Sequence, residues 1–245
     1  MMDMATTNDE LVARVAPGQT LLFDADDTLW ENNIYFERSI ADFISLLNHR
    51  EYSREEVRAH LNKCEHATIQ RFGYGLKSFR RSLVDCFEQL SSVAVTPELH
   101  ERIGSFAQAI ADQEIELLPG VRETLTELVT RHTLVMVTKG DVEEQTDKLE
   151  RSGLLPLFAR VEVLAEKHGA AYAQLKERHG WEAERTWMIG NSPKSDVNPA
   201  LEAGLNAVFI PHDHTWVLEH EVVNAAGEGR RLLELKGFGE LLRWF

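Results

Sequence analysis

The sequence has little cysteine, no long apolar run and too little positive charge to balance its acids. Its two cysteines, Cys64 and Cys86, are too few for a disulfide framework and lack the spacing of a metal site. A membrane-spanning helix needs about 18 consecutive apolar residues, and no such run occurs. The stretch from Met1 to Gln19 also lacks the basic and apolar segments of a secretory signal. These absences predict a cytoplasmic protein with no membrane partner.

The charge balance argues against a polyanionic partner. The formal net charge is −14 at pH 7, from 26 Lys and Arg against 40 Asp and Glu. Nucleic-acid binding needs clustered Lys and Arg to release counterions, and no basic stripe is present. We therefore expect no nucleic-acid partner, although a small anion can still bind where cations are concentrated in one site. The 43% hydrophobic content is typical of a folded globular chain.

Short apolar runs recur along both ends of the chain, and each is typical of a buried strand. Helical patterns lie between the later runs, which favours right-handed crossovers between parallel strands. The pattern predicts an α/β fold with a doubly wound parallel sheet. The predicted strands are residues 20–23, 133–137, 160–164, 186–189 and 207–210, with a last strand–helix pair at 231–235 and 239–245.

The segment between the first two strands is different, because it contains helix after helix and no strand. Apolar residues recur there at helical spacing. Ser53 to Glu56 reads as a capping box, and Thr96-Pro97 reads as an N-cap followed by proline in the first turn. We predict a small inserted all-α domain at 33–116, with a core domain formed by 1–32 and 117–245.

Polar side chains follow the predicted strands where ligands bind in an open parallel sheet, outside the carboxyl ends. Asp24 and Asp26 follow the first strand and, two residues apart, share one face of an extended chain. Two close carboxylates repel each other unless a cation intervenes, and Mg²⁺ prefers such hard oxygen ligands. Taken alone, these acids are also typical of a turn after a strand.

Four motifs carry a resemblance to a known family. Asp24-Ala25-Asp26-Asp27-Thr28-Leu29 resembles the first motif of the haloacid dehalogenase superfamily of phosphohydrolases. Thr138, Lys167 and the segment 190–196 resemble its second, third and fourth motifs, in the right order on the right strands. The resemblance implies a Rossmann-like core with a helical cap inserted after the first motif.

The resemblance also implies a role for each motif residue. Asp24 is similar to the nucleophile that forms an aspartyl-phosphate, and Asp26 to the general acid and base. Thr138 and Lys167 are similar to the groups that bind the transferring phosphoryl group, so they are expected to be both catalytic and substrate-binding. Lys139 either contacts substrate or caps its own loop. The implied Mg²⁺ ligands are Asp24, Asp26 through its backbone carbonyl, Asn191 and Asp196.

One position departs from the family pattern. The fourth motif usually has aspartate directly after its glycine, whereas this chain has Asn191. An amide oxygen can ligate Mg²⁺ without supplying charge, so we expect weaker metal binding, with Asp196 helping directly or through a water molecule.

The motifs together predict a Mg²⁺-dependent phosphatase that hydrolyses a small phosphomonoester, a phosphorylated metabolite, through an aspartyl-phosphate. Three alternatives remain. A phosphomutase keeps both acids. Dehalogenase-type relatives lack an acid at the position of Asp26, which argues against that activity. A catalytically impaired binding module is favoured only by Asn191.

Overall fold

The computed structural model describes residues 14–245 and organises them around a six-stranded parallel sheet. The strand order is β3-β2-β1-β4-β5-β6, which confirms the predicted α/β fold, and each predicted strand is present to within two residues. The strands are β1 Thr20–Phe23, β2 Thr133–Lys139, β3 Arg160–Leu164, β4 Thr186–Gly190, β5 Asn206–Phe209 and β6 Leu232–Glu234.

The start of the chain lies outside this description. Residues 1–13 are not described by the structure. Two sequence predictions fall largely on them: their assignment to the core domain, and the lack of a secretory signal before residue 20. Within residues 14–245, no helix is both long and apolar enough to cross a membrane.

Both faces of the sheet are covered, as parallel sheets require. Side chains alternate along β1: Leu21 and Phe23 belong to one apolar cluster and Leu22 to the cluster on the other face. One face is covered by α5 Val121–Leu128, α6 Val142–Ser152 and α9 Leu241–Trp244, and the other by α7 Gly169–His179 and α8 Asn198–Glu202. Because these helices lie beside the strands, the carboxyl ends of the strands stay open to a ligand.

Four helices follow β1 and form what we call the helical insert. Their apolar side chains form a cluster of their own, which includes both cysteines. Ser53 and Glu56 make the predicted reciprocal capping box, and the Thr96 hydroxyl accepts the Leu99 N–H at 3.3 Å. The helices are α1 Asn33–Leu47, α2 Arg54–Phe72, α3 Leu76–Leu90 and α4 Pro97–Ala111.

The chain enters and leaves the helical insert through two paired segments. The Glu31 N–H donates to the Glu116 carbonyl at 2.9 Å, and the Leu118 N–H donates to the Leu29 carbonyl at 3.0 Å. Trp30 and Leu117 form an antiparallel bridge between these bonds. The pairing lies at the boundaries expected from the sequence, and the division into two domains stays a prediction.

The sequence Asp141-Val142-Glu143-Glu144 at the start of α6 has the pattern of a capping box, and the structure forms only half of it. The Asp141 carboxylate accepts the N–H groups of Glu143 and Glu144 at 3.0 and 3.1 Å. The Glu144 carboxylate does not return to Asp141 and instead accepts the Leu76 N–H at 3.0 Å. Gly75, the N-cap of α3, has no side chain that could accept this N–H. Glu144 therefore caps a helix of the insert from the core.

His132 is buried at the start of β2 with one ring nitrogen paired. Its Nδ1 accepts the Gln19 N–H at 3.2 Å, and Nε2 has no hydrogen-bond partner within residues 14–245. Burial, with a smaller contribution from the charge of Arg131, lowers the pKa of His132 from 6.5 to about 4. Folding therefore requires the neutral ring.

We predict that His132 makes the fold sensitive to acid. Between pH 6.5 and 4 the unfolded chain binds a proton at His132 that the folded chain does not, so this residue lowers stability as pH falls. His132→Gln keeps an acceptor but does not titrate. Relative to wild type, it should remove about 1–3 kcal/mol of the acid-induced loss in urea-unfolding free energy. The exposed His66→Gln is the control and should follow wild type; identical pH profiles for His132→Gln and wild type would contradict the prediction.

Candidate active site

The residues predicted from the motifs meet at one cavity of about 180 Å³. The carboxyl ends of β1, β2 and β4 and the segment after β3 form one side of this cavity, and the helical insert forms the other. The predicted residues that line it are Asp24, Asp26, Thr138, Lys139, Lys167, Asn191 and Asp196.

A buried lysine lies between two carboxylates at the end of β1. Lys167 Nζ is 2.5 Å from Asp24 Oδ1 and 2.8 Å from Asp196 Oδ1. Burial alone would lower the pKa of Lys167, but the charges of Asp196 and Asp24 raise it well above its usual value. The lysine is therefore charged, and the trio has one surplus negative charge when both carboxylates are ionised. Burial and the nearby Asp24 charge raise the pKa of Asp196 to about 7, while its pairing with Lys167 opposes that rise.

Asp196 approaches so closely because the fourth motif begins with glycine. A Cβ at Gly190 would lie 2.2 Å from Asp196 Oδ2, inside van der Waals contact. Oδ2 also accepts the Ser192 N–H at 3.0 Å, and the residue is 0% exposed. Both Asp196 oxygens thus accept hydrogen bonds from protein groups.

The other oxygen of Asp24 is positioned by Thr28. The Thr28 hydroxyl lies 2.9 Å from Asp24 Oδ2 and 3.1 Å from Asn191 Oδ1. Asn191 Nδ2 donates to Thr215 Oγ1 at 2.9 Å, while the amide oxygen accepts from the Thr28 hydroxyl. An aspartate at position 191 would place an oxygen against Thr215 instead of a donor. The structure therefore gives Thr28 and Thr215 roles that sequence patterns did not reveal.

Asp26 turns its side chain towards α6. It accepts hydrogen bonds from Trp30 Nε1 at 2.7 Å, Gln145 Nε2 at 3.0 Å and Lys148 Nζ at 2.5 Å. Burial raises the pKa of Asp26, but the charge of Lys148 and these three hydrogen bonds outweigh it and lower the pKa below the usual value. Asp24 and Asp26 of the first motif thus have separate lysines, Lys167 for Asp24 and Lys148 for Asp26.

Thr138 and Lys139 end β2 beside the other motifs. The Thr138 hydroxyl is buried, 3.4 Å from Gln145 Oε1. Lys139 Nζ contacts Glu219 Oε1 at 2.6 Å and Ser195 Oγ at 2.9 Å. Lys139 is therefore held by residues of other segments while it lines the cavity, and the choice between its two expected roles stays a prediction.

Glu219 is a site residue that the sequence did not indicate. It lies in the 3-10 turn Val217–Glu219 and accepts hydrogen bonds from Lys139, Ser192 and Ser195. Burial raises the pKa of Glu219, but the Lys139 charge and the three hydrogen bonds outweigh burial. The pKa of Glu219 therefore lies below its usual value. No local pattern marks this acid, because its partners come from β2 and from the loop after β4.

The helical insert reaches the site through Tyr74, between α2 and α3. The Tyr74 hydroxyl donates to the Glu166 carboxylate and accepts from Lys139 Nζ at 3.3 Å. The ammonium group of Lys139 also lies 4.6 Å from the centre of the Tyr74 ring, in a cation–π contact. A residue of the insert thus contacts the segments after both β2 and β3.

A further acidic group lies next to the cavity. Candidate ligand atoms of Asp27, Glu31 and His212 lie within 4.8 Å of one another. Asp27 already accepts the N–H groups of Asn32 and Asn33 at the start of α1, at 2.9 and 3.0 Å. Burial raises the pKa of Asp27 to about 7 despite these bonds.

The oxygens around Thr28 fit a hard divalent cation. Asp24 Oδ2 and Asn191 Oδ1 approach the same hydroxyl group from two strands, and the surrounding trio carries surplus negative charge. Carboxylate and amide oxygens are the ligand type that such cations take. The Asp196 oxygens each have their own protein donor, and the Asp26 side chain is held by Lys148. Asp24 Oδ2 and Asn191 Oδ1 share the single proton of the Thr28 hydroxyl, so these two oxygens are the ones best placed to bind a cation.

Comparisons with known proteins agree with this architecture. The model of a hydrolase family, the haloacid dehalogenase-like hydrolases, matches residues 19–204. A solved haloacid dehalogenase-like family hydrolase from Xanthomonas campestris shares 31% identity over 92% of this chain and 93% of its own, with a TM-score of 0.77. A 2-haloacid dehalogenase from Pseudomonas syringae pv. Tomato has the same fold at 19% identity, with a TM-score of 0.59 over 92% and 96% of the two chains.

A curated relative is more specific about activity. Pyrimidine 5′-nucleotidase PynA from Streptococcus pneumoniae is 30% identical over 124 residues, which are 46% of this chain and 52% of the relative. The chain thus spans about half the length of that relative.

The parallel sheet and the family match together identify a hydrolase with an α/β core. The chain belongs to the haloacid dehalogenase-like hydrolase family.

Proposed function

We propose that this hydrolase is a Mg²⁺-dependent phosphatase that cleaves a small phosphomonoester through an aspartyl-phosphate on Asp24. The observation that carries the proposal is the state of Asp24: it lines the cavity, is 8% exposed, and has Lys167 on one oxygen and Thr28 on the other. A carboxylate oriented in this way is an in-line nucleophile towards a bound phosphoryl group. The nucleotidase relative supports a phosphorylated substrate.

The surrounding side chains supply what phosphoryl transfer needs. Lys167 offsets the charge of Asp24 and of the phosphoryl oxygens, and the Thr138 hydroxyl donates to one of those oxygens. Mg²⁺, held by Asp24, Asn191 and the Asp26 carbonyl, would add electrostatic stabilisation of the phosphoryl group. Asp196 keeps Lys167 oriented, because both of its oxygens are fixed within the protein.

Asp26 performs the proton transfers in this proposal. Its pKa is lowered in the free protein, which suits the base that later activates water. A phosphate group entering beside it adds negative charge and raises its pKa, so substrate binding favours the protonated form that the leaving alcohol requires. Dehalogenation has no use for such a proton donor, and the fold that the chain shares with dehalogenases does not favour that reaction.

The helical insert acts as a cap in the proposed mechanism. Residues 33–116 form the cap domain, and 1–32 with 117–245 form the core domain. Support comes from the separate apolar cluster of the insert, the paired segments at its boundary, and the contacts that Tyr74 and Glu144 make across the cavity. Such a cap excludes water during attack by Asp24.

Asp24→Asn should abolish turnover while leaving the fold intact. The variant keeps the shape of the side chain but removes the nucleophile, and we expect the release of inorganic phosphate from 4-methylumbelliferyl phosphate with Mg²⁺ to fall by at least about a thousandfold. Removal of Mg²⁺ with EDTA should abolish phosphate release by the wild type. Retention of more than about a tenth of wild-type activity would exclude Asp24 as nucleophile. Phosphate transfer to a second substrate without phosphate release would identify a mutase.

Asp26→Asn should affect substrates according to their leaving group. An alkyl phosphate needs a proton on its leaving oxygen, and we expect its first-step rate to fall by about 10²- to 10⁴-fold. The first-step rate for p-nitrophenyl phosphate, whose leaving group is stable as an anion, should change far less. Asp147→Asn, on the exposed side of α6, is the matched control. Equal losses for both substrates would show that Asp26 only positions the loop.

Asn191→Asp should tighten Mg²⁺ binding. A carboxylate beside the cation adds favourable charge, partly offset by repulsion from Asp24 and by loss of the hydrogen bond to Thr215. We expect the Mg²⁺ dissociation constant from calorimetry to fall by about 3- to 30-fold, or about 0.7–2 kcal/mol. Thr215→Val frees the amide to turn away and should weaken binding. An unchanged constant in both variants would mean that position 191 does not bind the metal.

A further inference from the structure

The part of the cavity that the helical insert lines has four large apolar side chains, with Ser78 and Ser82 among its polar ones. Phe36 and Ile40 of α1, Ile69 of α2 and Phe79 of α3 line it. The single acid that α2 contributes to this lining is Glu65. An acid among apolar neighbours is costly unless it has a partner.

Glu65 lacks such a partner within the described chain. The residue is 5% exposed, and its Oε2 is buried without a hydrogen bond from any of residues 14–245. The charge of Arg58 acts on it, but the Arg58 guanidinium makes two bonds to Glu37, at 2.5 and 2.8 Å. An acid that lines a cavity and has an oxygen without a donor in the protein is suited to a donor on a ligand.

The protonation state of Glu65 broadens what it can recognise. Burial is the main cause that raises its pKa to about 7. Near neutral pH the group is therefore present both as a carboxylate, which accepts two hydrogen bonds, and as a carboxylic acid, which donates one and accepts another. A planar ring edge with an N–H group satisfies either form.

We propose that Glu65 is a specificity-determining residue that hydrogen-bonds the nucleobase of a nucleoside monophosphate. A nucleobase has apolar faces that pack against Phe36 and Phe79, and its edge carries the N–H donor that Glu65 lacks. A sugar alone has no flat apolar face to pack against Phe36 and Phe79, and a hydrocarbon would leave Glu65 without a partner. The inference rests on the proposed phosphatase function for the phosphate, and it adds the chemical class of the leaving group.

The test compares nucleotides with a substrate that has no base. We compare the wild-type kcat/KM for ribose 5-phosphate with the values for four nucleotides, the 5′-monophosphates of uridine, cytidine, adenosine and guanosine. At least one nucleotide should exceed ribose 5-phosphate by about 10-fold or more. Glu65→Met, a variant of similar length, should remove that advantage and change ribose 5-phosphate by less than about twofold. Glu65→Leu provides a second apolar variant if Glu65→Met is unstable.

Glu88→Met is the matched control, because Glu88 is exposed on α3 of the same insert; it should keep the nucleotide preference. Hydrolysis with no nucleotide preferred, or equal losses for all substrates in Glu65→Met, would overturn the inference and leave the phosphatase proposal intact. If no phosphate is hydrolysed at all, the phosphatase proposal fails. Calorimetry with the four nucleosides then decides on Glu65: binding that Glu65→Met abolishes supports its role, and no binding by wild type overturns it.

Discussion

The buried ammonium group of Lys167 allows two carboxylates to lie at the centre of the sheet edge. Asp24 and Asp196 come from different strands, and without a shared cation their burial would cost more than their hydrogen bonds return. The arrangement depends on register: β1 pairs with β4, and the Asp24 N–H donates to the Ile189 carbonyl at 2.9 Å. That pairing brings the fourth motif beside the first. Removing the lysine would leave two buried carboxylates without a counter-charge, whereas removing one carboxylate would leave a balanced pair.

Charge balance also organises the rest of the site. Asp26 pairs with Lys148 and Glu219 pairs with Lys139, so each of these buried acids has a lysine from another element. The protein as a whole is strongly acidic, yet three lysines, Lys139, Lys148 and Lys167, line the cavity where a phosphate would bind. Small anions can therefore approach one local site although the surface as a whole repels long polyanions.

The helical insert contributes both closure and selectivity to the proposed chemistry. Tyr74 and Glu144 join it to the core on the two sides of the cavity, through bonds that can break and form again without disturbing the apolar cluster of the insert. Glu65 and the apolar residues that line the same part of the cavity all belong to the insert. In the proposed mechanism, the strands of the core hold the reacting groups, and the separately packed helical insert surrounds the leaving group.

The sequence by itself determined the sheet, the helical insert and the motif residues at the strand ends. Those features follow from apolar periodicity and from polar residues placed directly after buried strands, which are local properties of the chain. Only the tertiary structure decided which side chains pair with one another in the site. Lys148, Glu219 and Thr215 acquire their roles from residues more than 20 positions away, and no local pattern encodes such pairings. The local pattern and the structure differ at Glu144. The pattern predicts that its carboxylate caps α6, whereas in the structure it accepts the Leu76 N–H at the start of α3, where Gly75 offers no side-chain cap.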